Sequence, residues 1–457
     1  RFSSCLPVTG QPDPERAGKE RLTRFCRRFV KSTALPLYSK SIFYQHIIRL
    51  ALEEAGMMSR PEKYMSKRIL MVAPEPIFEP RGTPFSVVGR LKALSDMGHK
   101  VDLITYPMGE DVRFPGVRII RIPRVPGIRK IKIGPSLAKI PLDLLLIVYT
   151  AFYLCGNRYD LLHTHEEAGF WGTLFSRIRG IPHLYDMHSS LPQQLSNFQF
   201  SKSRVLVSMF RKLEGWVLSN ADSIITICPD LRDHVLDEQP EKGSFLIENV
   251  VDYEQIFGET DRSADIRKEY SLDSRTVALY AGTLEPYQGI DLLIQSAAIA
   301  VQQHKDLLFL VVGGHADQVS MYRSMAREKG LESSMIFTGQ VPPSHVKSYM
   351  RCADLLLSPR TRGTNTPLKI YSYLKAGIPV VATRLLTHTQ VLNDDVAVLT
   401  EPGPESFASG IIHILDDKQQ YRSIVTRAQQ LAEEQYSYTV YVRKFTAAVE
   451  RGFSGGR

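Results

Sequence analysis

The chain has 457 residues, 43% of them hydrophobic, with 57 Lys/Arg against 48 Asp/Glu and a net charge of +9. That length exceeds what one hydrophobic core usually supports, so two domains are expected. The charge is uneven: residues 1–64 hold 12 Lys/Arg and 6 Asp/Glu, leaving 45 against 42 for the rest, which excludes a generally basic nucleic-acid-binding body.

In chain order, residues 1–64 read as a poorly ordered extension. Glu20 to Lys31 has the pattern of a short basic amphipathic helix, and Met65 before Ser66-Lys67-Arg68 reads like an ordinary start. From Arg68 onward, short apolar runs alternate with helix-length segments, the pattern of parallel sheets in an α/β fold. Strands are expected at 69–74, 100–105, 117–122, 160–165, 183–188 and 223–228, with a helix from Pro84 to Met97 stopped by Gly98-His99. One doubly wound unit is complete by about residue 250. After 245–257 the alternation restarts, with strands at 277–282, 307–314, 335–340, 354–359 and 379–383 and helices near 289–303, 317–330, 343–352 and 367–376. A long helical segment from Pro404 to Arg451, interrupted near Tyr436-Ser437-Tyr438, closes the chain. The expected domains are 65–252 and 253–435, with 436–457 a C-terminal helix returning to the first.

Ligands of open parallel sheets sit beyond the carboxyl ends of the strands. The candidate loops carry Gly82-Thr83, His165-Glu166-Glu167, His188-Ser189-Ser190, Gly282-Thr283, Gly313-Gly314-His315 and the segment Ser358 to Thr383. In that last segment Thr366 is a good N-cap, Pro367 suits the first helical position and Gly377 suits the stop. Lys369 then falls in the first turn, where the helix dipole disfavours a cation unless an anion is bound. Thr364, Asn365, Leu368, Lys369 and Ser372 are spaced to meet around the helix start. With Arg360, Arg362 and the exposed N–H groups, they could hold a diphosphate. An ordinary capped helix with a snorkelling lysine accounts for the same residues.

Several stretches, in order and spacing, resemble the retaining nucleotide-sugar glycosyltransferases of the GT-B fold, in particular the large fourth family. They are RGTPFSVVGRLKALSDMGHKVDLIT, YDLLHTHEEAGFWG, GIPHLYDMHSSLP, ENVVDYEQIF, AGTLEPYQGIDLLIQSA, LVVGGHADQ, FTGQVP and ADLLLSPR. The resemblance runs from about Arg68 to Tyr441. It implies two Rossmann-like doubly wound domains facing a central cleft, with a nucleotide diphosphate sugar in the C-terminal domain and the acceptor in the N-terminal one. It also implies transfer with retained configuration and no metal or other cofactor. On that pattern His188 is the catalytic residue near the transferred sugar, Gly82-Thr83 approaches the phosphates, Gly313-Gly314-His315 lies against the nucleoside, and Gly282, Thr283 and Gln288 belong to the donor site. His165 and Glu166 are the expected acceptor contacts.

The chain departs from that family at charged positions. The usual phosphate-binding Arg and Lys fall at Thr283 and Gln288, the usual glutamate pair falls at Thr364 and Ser372, and Val250 stands where the linker glycine is usual. Two readings follow. Either Lys369, Arg360 and Arg362 take over the phosphate charge while the neutral residues remove opposing carboxylates, or the site has decayed into a catalytically degenerate binding module.

Other features complete the expectation. Cys5, Cys26, Cys155, Cys228 and Cys352 form no metal or disulfide pattern, so a reducing compartment is expected. His163 and His165, alternating on one strand, are expected on opposite faces, which argues against a shared metal. Arg113 to Lys139 carries eight basic residues and no acidic one, beside the apolar run Leu142 to Leu154. The region 113–154 is therefore a candidate contact with an anionic membrane surface, against the alternative of a solvated loop and a packed helix. The most apolar run, Leu144 to Gly156, reads as too short to span a bilayer, and no secretory signal is expected. The expected partners are a nucleotide sugar and a saccharide or lipid-linked acceptor of envelope or exopolysaccharide type, with no nucleic acid. The expected location is cytoplasmic, with a peripheral position on the inner face of the cell membrane left open.

Overall fold

The strand β1 (Arg68–Ala73) is apolar along almost its whole length, as a strand covered on both faces must be. In the computed structural model, residues 66–455 are described, apart from 79–81, 129–130, 132–135, 193–203, 250–260, 418 and 420. Expectations for residues 1–64 and for Val250 lie outside the described residues. β1 pairs in parallel with β2 (Lys100–Thr105) and β4 (Leu161–His165). With β3 (Val117–Arg121), β5 (His183–Met187), β6 (Ser223–Thr226) and β7 (Phe245–Leu246), they make a parallel sheet of order β3-β2-β1-β4-β5-β6-β7.

The second sheet repeats the plan. β8 (Thr276–Ala281), β9 (Leu307–Val312), β10 (Met335–Gly339), β11 (Leu355–Ser358), β12 (Val380–Thr383) and β13 (Val398–Thr400) run parallel in the order β10-β9-β8-β11-β12-β13. Both sheets are doubly wound, with strand order reversing between β1 and β4 and between β8 and β11. Those reversals open crevices at the carboxyl ends of the strands.

Helices cover both faces. On the first sheet α1 (Gly82–Asp96) lies on one side, and α2 (Lys139–Gly156), α3 (Ala168–Arg179) and α4 (Arg204–Asn220) lie on the other. α5 (Pro229–Glu238) follows β6, and α6 (Ser263–Glu269) leads into β8. The second sheet carries α7 (Ile290–Gln303), α8 (Ala316–Glu328), α9 (Val346–Arg351), α10 (Leu368–Lys375) and α11 (Leu386–Thr389). The closing segment is three helices, α12 (Pro404–Asp416), α13 (Arg422–Tyr436) and α14 (Tyr438–Phe453). The interruption expected at Ser437 is present, and a second lies between Asp416 and Arg422. α14 packs with α1 on the first sheet: Phe445 and Val449 join Ile69, Met71 and Leu91 in one core, and Ser223 Oγ donates to the Ala448 carbonyl at 2.8 Å.

Two expectations about 113–154 change. α2 has 18 residues and is long and apolar enough, by length and composition, to cross a membrane. The sequence count broke at Asp143, but that carboxylate turns inward to accept from Tyr106 at 2.5 Å, and burial raises its pKa to about 7. Leu142, Leu146 and Leu154 meanwhile bury against the sheet. The basic stretch is also less free than its composition implies. Arg118 pairs with Asp102 at 2.7 Å, Arg121 pairs with Asp111 at 2.8 Å, and Lys139 pairs with Glu167 at 3.0 Å. Arg129, Lys130 and Lys132 lie outside the described residues.

Candidate active site

Loops from both reversal points meet in one cleft of about 1410 Å³. The first sheet contributes Gly82, Thr83, Glu166 and His188. The second contributes Gly282, Thr283, Gln288, Gly313 and Gly314. Arg360, Arg362, Thr364, Asn365, Thr366, Pro367, Leu368, Lys369 and Ser372 also face it. Two expected residues do not line it. His315 opens α8, where it forms a capping box with Gln318, and His165 lies fully buried behind His188.

The glycines permit this convergence. A Cβ on Gly313, whose φ is +119°, would lie 2.0 Å from the Gly282 carbonyl oxygen; one on Gly289, φ +75°, would lie 1.9 Å from that of Pro359. Larger residues there would push apart the loops that carry the phosphate candidates.

The start of α10 differs by one residue from the expectation. Pro367 is the cap residue, with extended backbone, and Thr366 makes no capping bond. A proline ring fixes φ near the value it adopts there, so the turn is set by Pro367 instead of by a threonine hydroxyl. Gly377 ends the helix in the left-handed region at φ +74°, as expected. Lys369 is the second helical residue, and its Nζ is buried, has no hydrogen-bond partner among the described residues and sits 3.6 Å from the Tyr280 ring centroid. Burial, then the nearby Arg360, push its pKa well below the usual lysine range. An anion in the cleft would relieve both effects. Arg360 is largely engaged in shaping its own loop: Nε donates to the Arg362 carbonyl at 2.7 Å, Nη1 donates to that of Asn365 at 3.1 Å, and the guanidinium lies over Tyr287. Arg362 is exposed.

Behind His188 is a buried polar cluster. Arg90 Nε donates to Asp186 Oδ2 at 2.8 Å, and its guanidinium lies over the neighbouring Tyr441 and Phe445 rings of α14, about 5 Å from each. Burial alone would raise the Asp186 pKa, but Arg90 and then His188 hold it well below the usual carboxylate range. His188 Nε2 is 3.3 Å from Asp186 Oδ1 and 3.0 Å from His165 Nδ1. Burial outweighs the attraction of Asp186 and lowers the His188 pKa to about 4, so the ring is neutral near pH 7. A neutral ring hydrogen-bonds a sugar hydroxyl without adding charge.

The expectation for His163 and His165 fails on elementary geometry. Residues two apart on a strand share a face, and these two rings stack with centroids 4.5 Å apart. Together with Asp186 they offer ligand atoms all within 4.8 Å of one another. A metal ion there would meet the Arg90 guanidinium on the same carboxylate, so the donor set suits a neutral hydrogen-bonded cluster better than a cation.

The opposite wall is acidic. Glu166 takes a positive φ of 47° and accepts from Ser189 Oγ at 2.6 Å. Burial, then the neighbouring Glu167, raise its pKa to about 8. Across the cleft, Asn365 Nδ2 donates to the His188 carbonyl at 2.9 Å, and Gln390 accepts from the Asp230 N–H at 2.9 Å. Sequence reasoning missed Arg90, Tyr280, Tyr287 and Gln390. Only Tyr287, in the loop after β8, stood where a strand-end rule could have found it.

Two doubly wound domains facing such a cleft define a GT-B protein. Residues 261–431 match the family described as Glycosyl transferases group 1, and 86–244 match Glycosyl transferase 4-like domain. The chain belongs to the group 1 glycosyltransferases. It is 26% identical over 363 residues to the phosphatidyl-myo-inositol mannosyltransferase of Mycobacterium tuberculosis, covering 77% of this chain and 88% of that one. It is 25% identical over 344 residues to the D-inositol 3-phosphate glycosyltransferase of Corynebacterium glutamicum, covering 71% and 81%. The fold is similar to Anabaena Alr3699/HepE in complex with UDP and glucose, at TM-score 0.66 and 19% identity, covering 84% of this chain and 99% of that one. It is also similar to WaaG, a glycosyltransferase of lipopolysaccharide biosynthesis, at TM-score 0.63 and 14% identity, covering 83% and 99%.

Proposed function

We propose that this protein transfers a sugar from a nucleotide diphosphate sugar to a saccharide or lipid-linked acceptor, with retention of configuration and without a metal ion, in envelope or exopolysaccharide synthesis. The observation that carries the reading is the Nζ of Lys369, buried on the cleft wall without a hydrogen-bond partner among the described residues, beside the Arg360–Arg362 loop and the start of α10. In this reading Lys369, with Arg362 and the first N–H groups of α10, holds the diphosphate and stabilises it as it leaves. Gly82-Thr83 closes on it from the other domain, and neutral His188 hydrogen-bonds the transferred sugar. Retention brings the acceptor hydroxyl to the face the diphosphate leaves, so a departing phosphate oxygen can take the hydroxyl proton as the new C–O bond forms. Glu166 and Glu167, on the wall opposite the phosphate residues, orient acceptor hydroxyls.

A donor of this class is supported by the UDP and glucose of the Anabaena neighbour, and a lipid-linked acceptor by the phosphatidyl-myo-inositol mannosyltransferase relative. The second reading, a catalytically degenerate binding module, is favoured by one observation: Thr283, Gln288, Thr364 and Ser372 all line the cleft and none is charged. A thermal-shift screen across common nucleotide sugars separates the two. A specific shift supports the transferase, and silence across the panel supports the degenerate module.

A further inference from the structure

We infer that the outward side of the helical layer α2–α3–α4 is a docking face for an anionic lipid bilayer, entered by shallow insertion of an apolar stripe. On α2, Ile140, Leu144, Val148 and Phe152 follow one another at four-residue steps, so they form a single line, and Leu137 lies in the turn just before the helix. All are exposed, from 54% at Ile140 to 72% at Phe152. Leu174 and Ile178 on α3, and Val205, Met209 and Leu213 on α4, are exposed apolar residues as well. The three helices are joined side to side: Lys139 of α2 pairs with Glu167 just before α3, and Phe170 of α3 meets Phe210 of α4 at 6.2 Å. Scattered exposed apolar residues need no explanation, but exposed apolar residues gathered on three adjoining helices mark an interaction surface.

Charge identifies the partner. Among the described residues of these helices the only carboxylates are Asp143 and Glu214, and both turn inward, to Tyr106 and to Ser190 and His234. The exposed charged residues of α3 and α4 are all basic, Arg177, Arg179, Arg211 and Lys212, and Arg158 and Asp160 are exposed just beyond the end of α2. An apolar centre with a cationic rim complements anionic headgroups over acyl chains. A second copy of this chain fits poorly, because a two-fold contact through this face would set two cationic rims against each other. The buried side of α2 keeps the helix on the sheet, so it lies on a membrane without crossing it.

The position of the face deepens the lipid-linked acceptor reading and rests on it only there. Lys139 begins α2 and also lines the cleft, so a docked protein would hold the cleft mouth at headgroup level. Vesicle binding needs no turnover, and nucleotide binding needs no membrane, so failure of either is seen separately.

The test is co-sedimentation of the full chain with vesicles of equal parts phosphatidylglycerol and phosphatidylcholine, and with phosphatidylcholine alone. The wild type is expected to bind the anionic vesicles more strongly. Combined Leu144→Gln, Val148→Gln and Phe152→Gln should reduce partitioning ten-fold or more, with unchanged thermal melting. Arg177→Gln with Arg179→Gln should weaken binding mainly at low salt. As a check independent of the triple variant's folding, Phe152→Trp should shift its emission to the blue on vesicle addition and be quenched by brominated acyl chains. No binding by the wild type, wild-type binding by a folded triple variant, an unquenched Phe152→Trp, or a wild-type dimer that the triple variant abolishes would each overturn the inference.

Discussion

Asn365 donates from Nδ2 to the carbonyl oxygen of His188 at 2.9 Å, tying the loop that opens α10 to the loop that ends β5 across the cleft. The residue meant to stand near the sugar and the residues meant to hold the phosphate are therefore linked directly by a contact between the two domains. Asn365→Ala removes it and leaves the carbonyl without that donor. The expected cost is about 1 kcal/mol, read as faster amide exchange at both His188–Ser190 and Thr364–Thr366. Acceleration in one segment alone would show that the two loops are not coupled through this bond.

Arg90 and Asp186 are both fully buried, so removing one leaves an uncompensated charge. Arg90→Met should destabilise the protein by about 3–5 kcal/mol, and adding Asp186→Asn should recover much of it. Urea unfolding of the two single variants and the double variant measures this. Equal losses in Arg90→Met and the double variant would mean that packing of the arginine over Tyr441 and Phe445 dominates.

Acid should destabilise the fold through its buried neutral histidines. His183 and His388 have pKa values near 3 and His188 near 4, each lowered first by burial, against 6.5 in the unfolded chain. Between those values the unfolded state binds more protons, so stability falls as pH drops from about 6.5 towards 4. His388 accepts at Nε2 from Ser358 and donates from Nδ1 to the Thr383 carbonyl, an arrangement that needs the neutral ring. His388→Gln should cost stability at pH 7 and flatten the pH dependence of the urea midpoint. An unchanged slope would show that His388 does not titrate in this window.

Binding of an anion should return the proton that burial disfavours at Lys369. At pH 8, where nucleoside diphosphates are fully ionised, binding is expected to take up protons, seen as a calorimetric enthalpy that varies with the ionisation enthalpy of the buffer. Lys369→Ala should abolish that variation. Proton uptake that persists in the variant would place its source elsewhere.

How far the sequence carried this picture depended on whether the deciding interaction was local. β1 and most of the parallel strands were legible because burial on both faces writes itself as an apolar run. The line of loops at strand ends followed from topology, and nearly all of them reached the cleft. The α10 start shifted by one residue because a proline and a threonine side by side both suit a helix entry, and backbone geometry chose the proline. His163 and His165 were misplaced by a misapplied strand period. Arg90 was illegible for another reason: an arginine within a helix gives no local sign that its partner lies on a strand nearly a hundred residues later. Asp143 misled for a similar reason, since Tyr106 and not the solvent receives it.

The most direct measurement is the affinity of Lys369→Ala and of Arg362→Ala for nucleoside diphosphates, determined by calorimetry on whichever of UDP, GDP or ADP the wild type binds. Loss of one charge-assisted phosphate contact should cost about 1.5–3 kcal/mol, ten-fold or more in Kd. Unchanged affinity in both variants would contradict the proposal that these cations replace the missing arginine and lysine at Thr283 and Gln288.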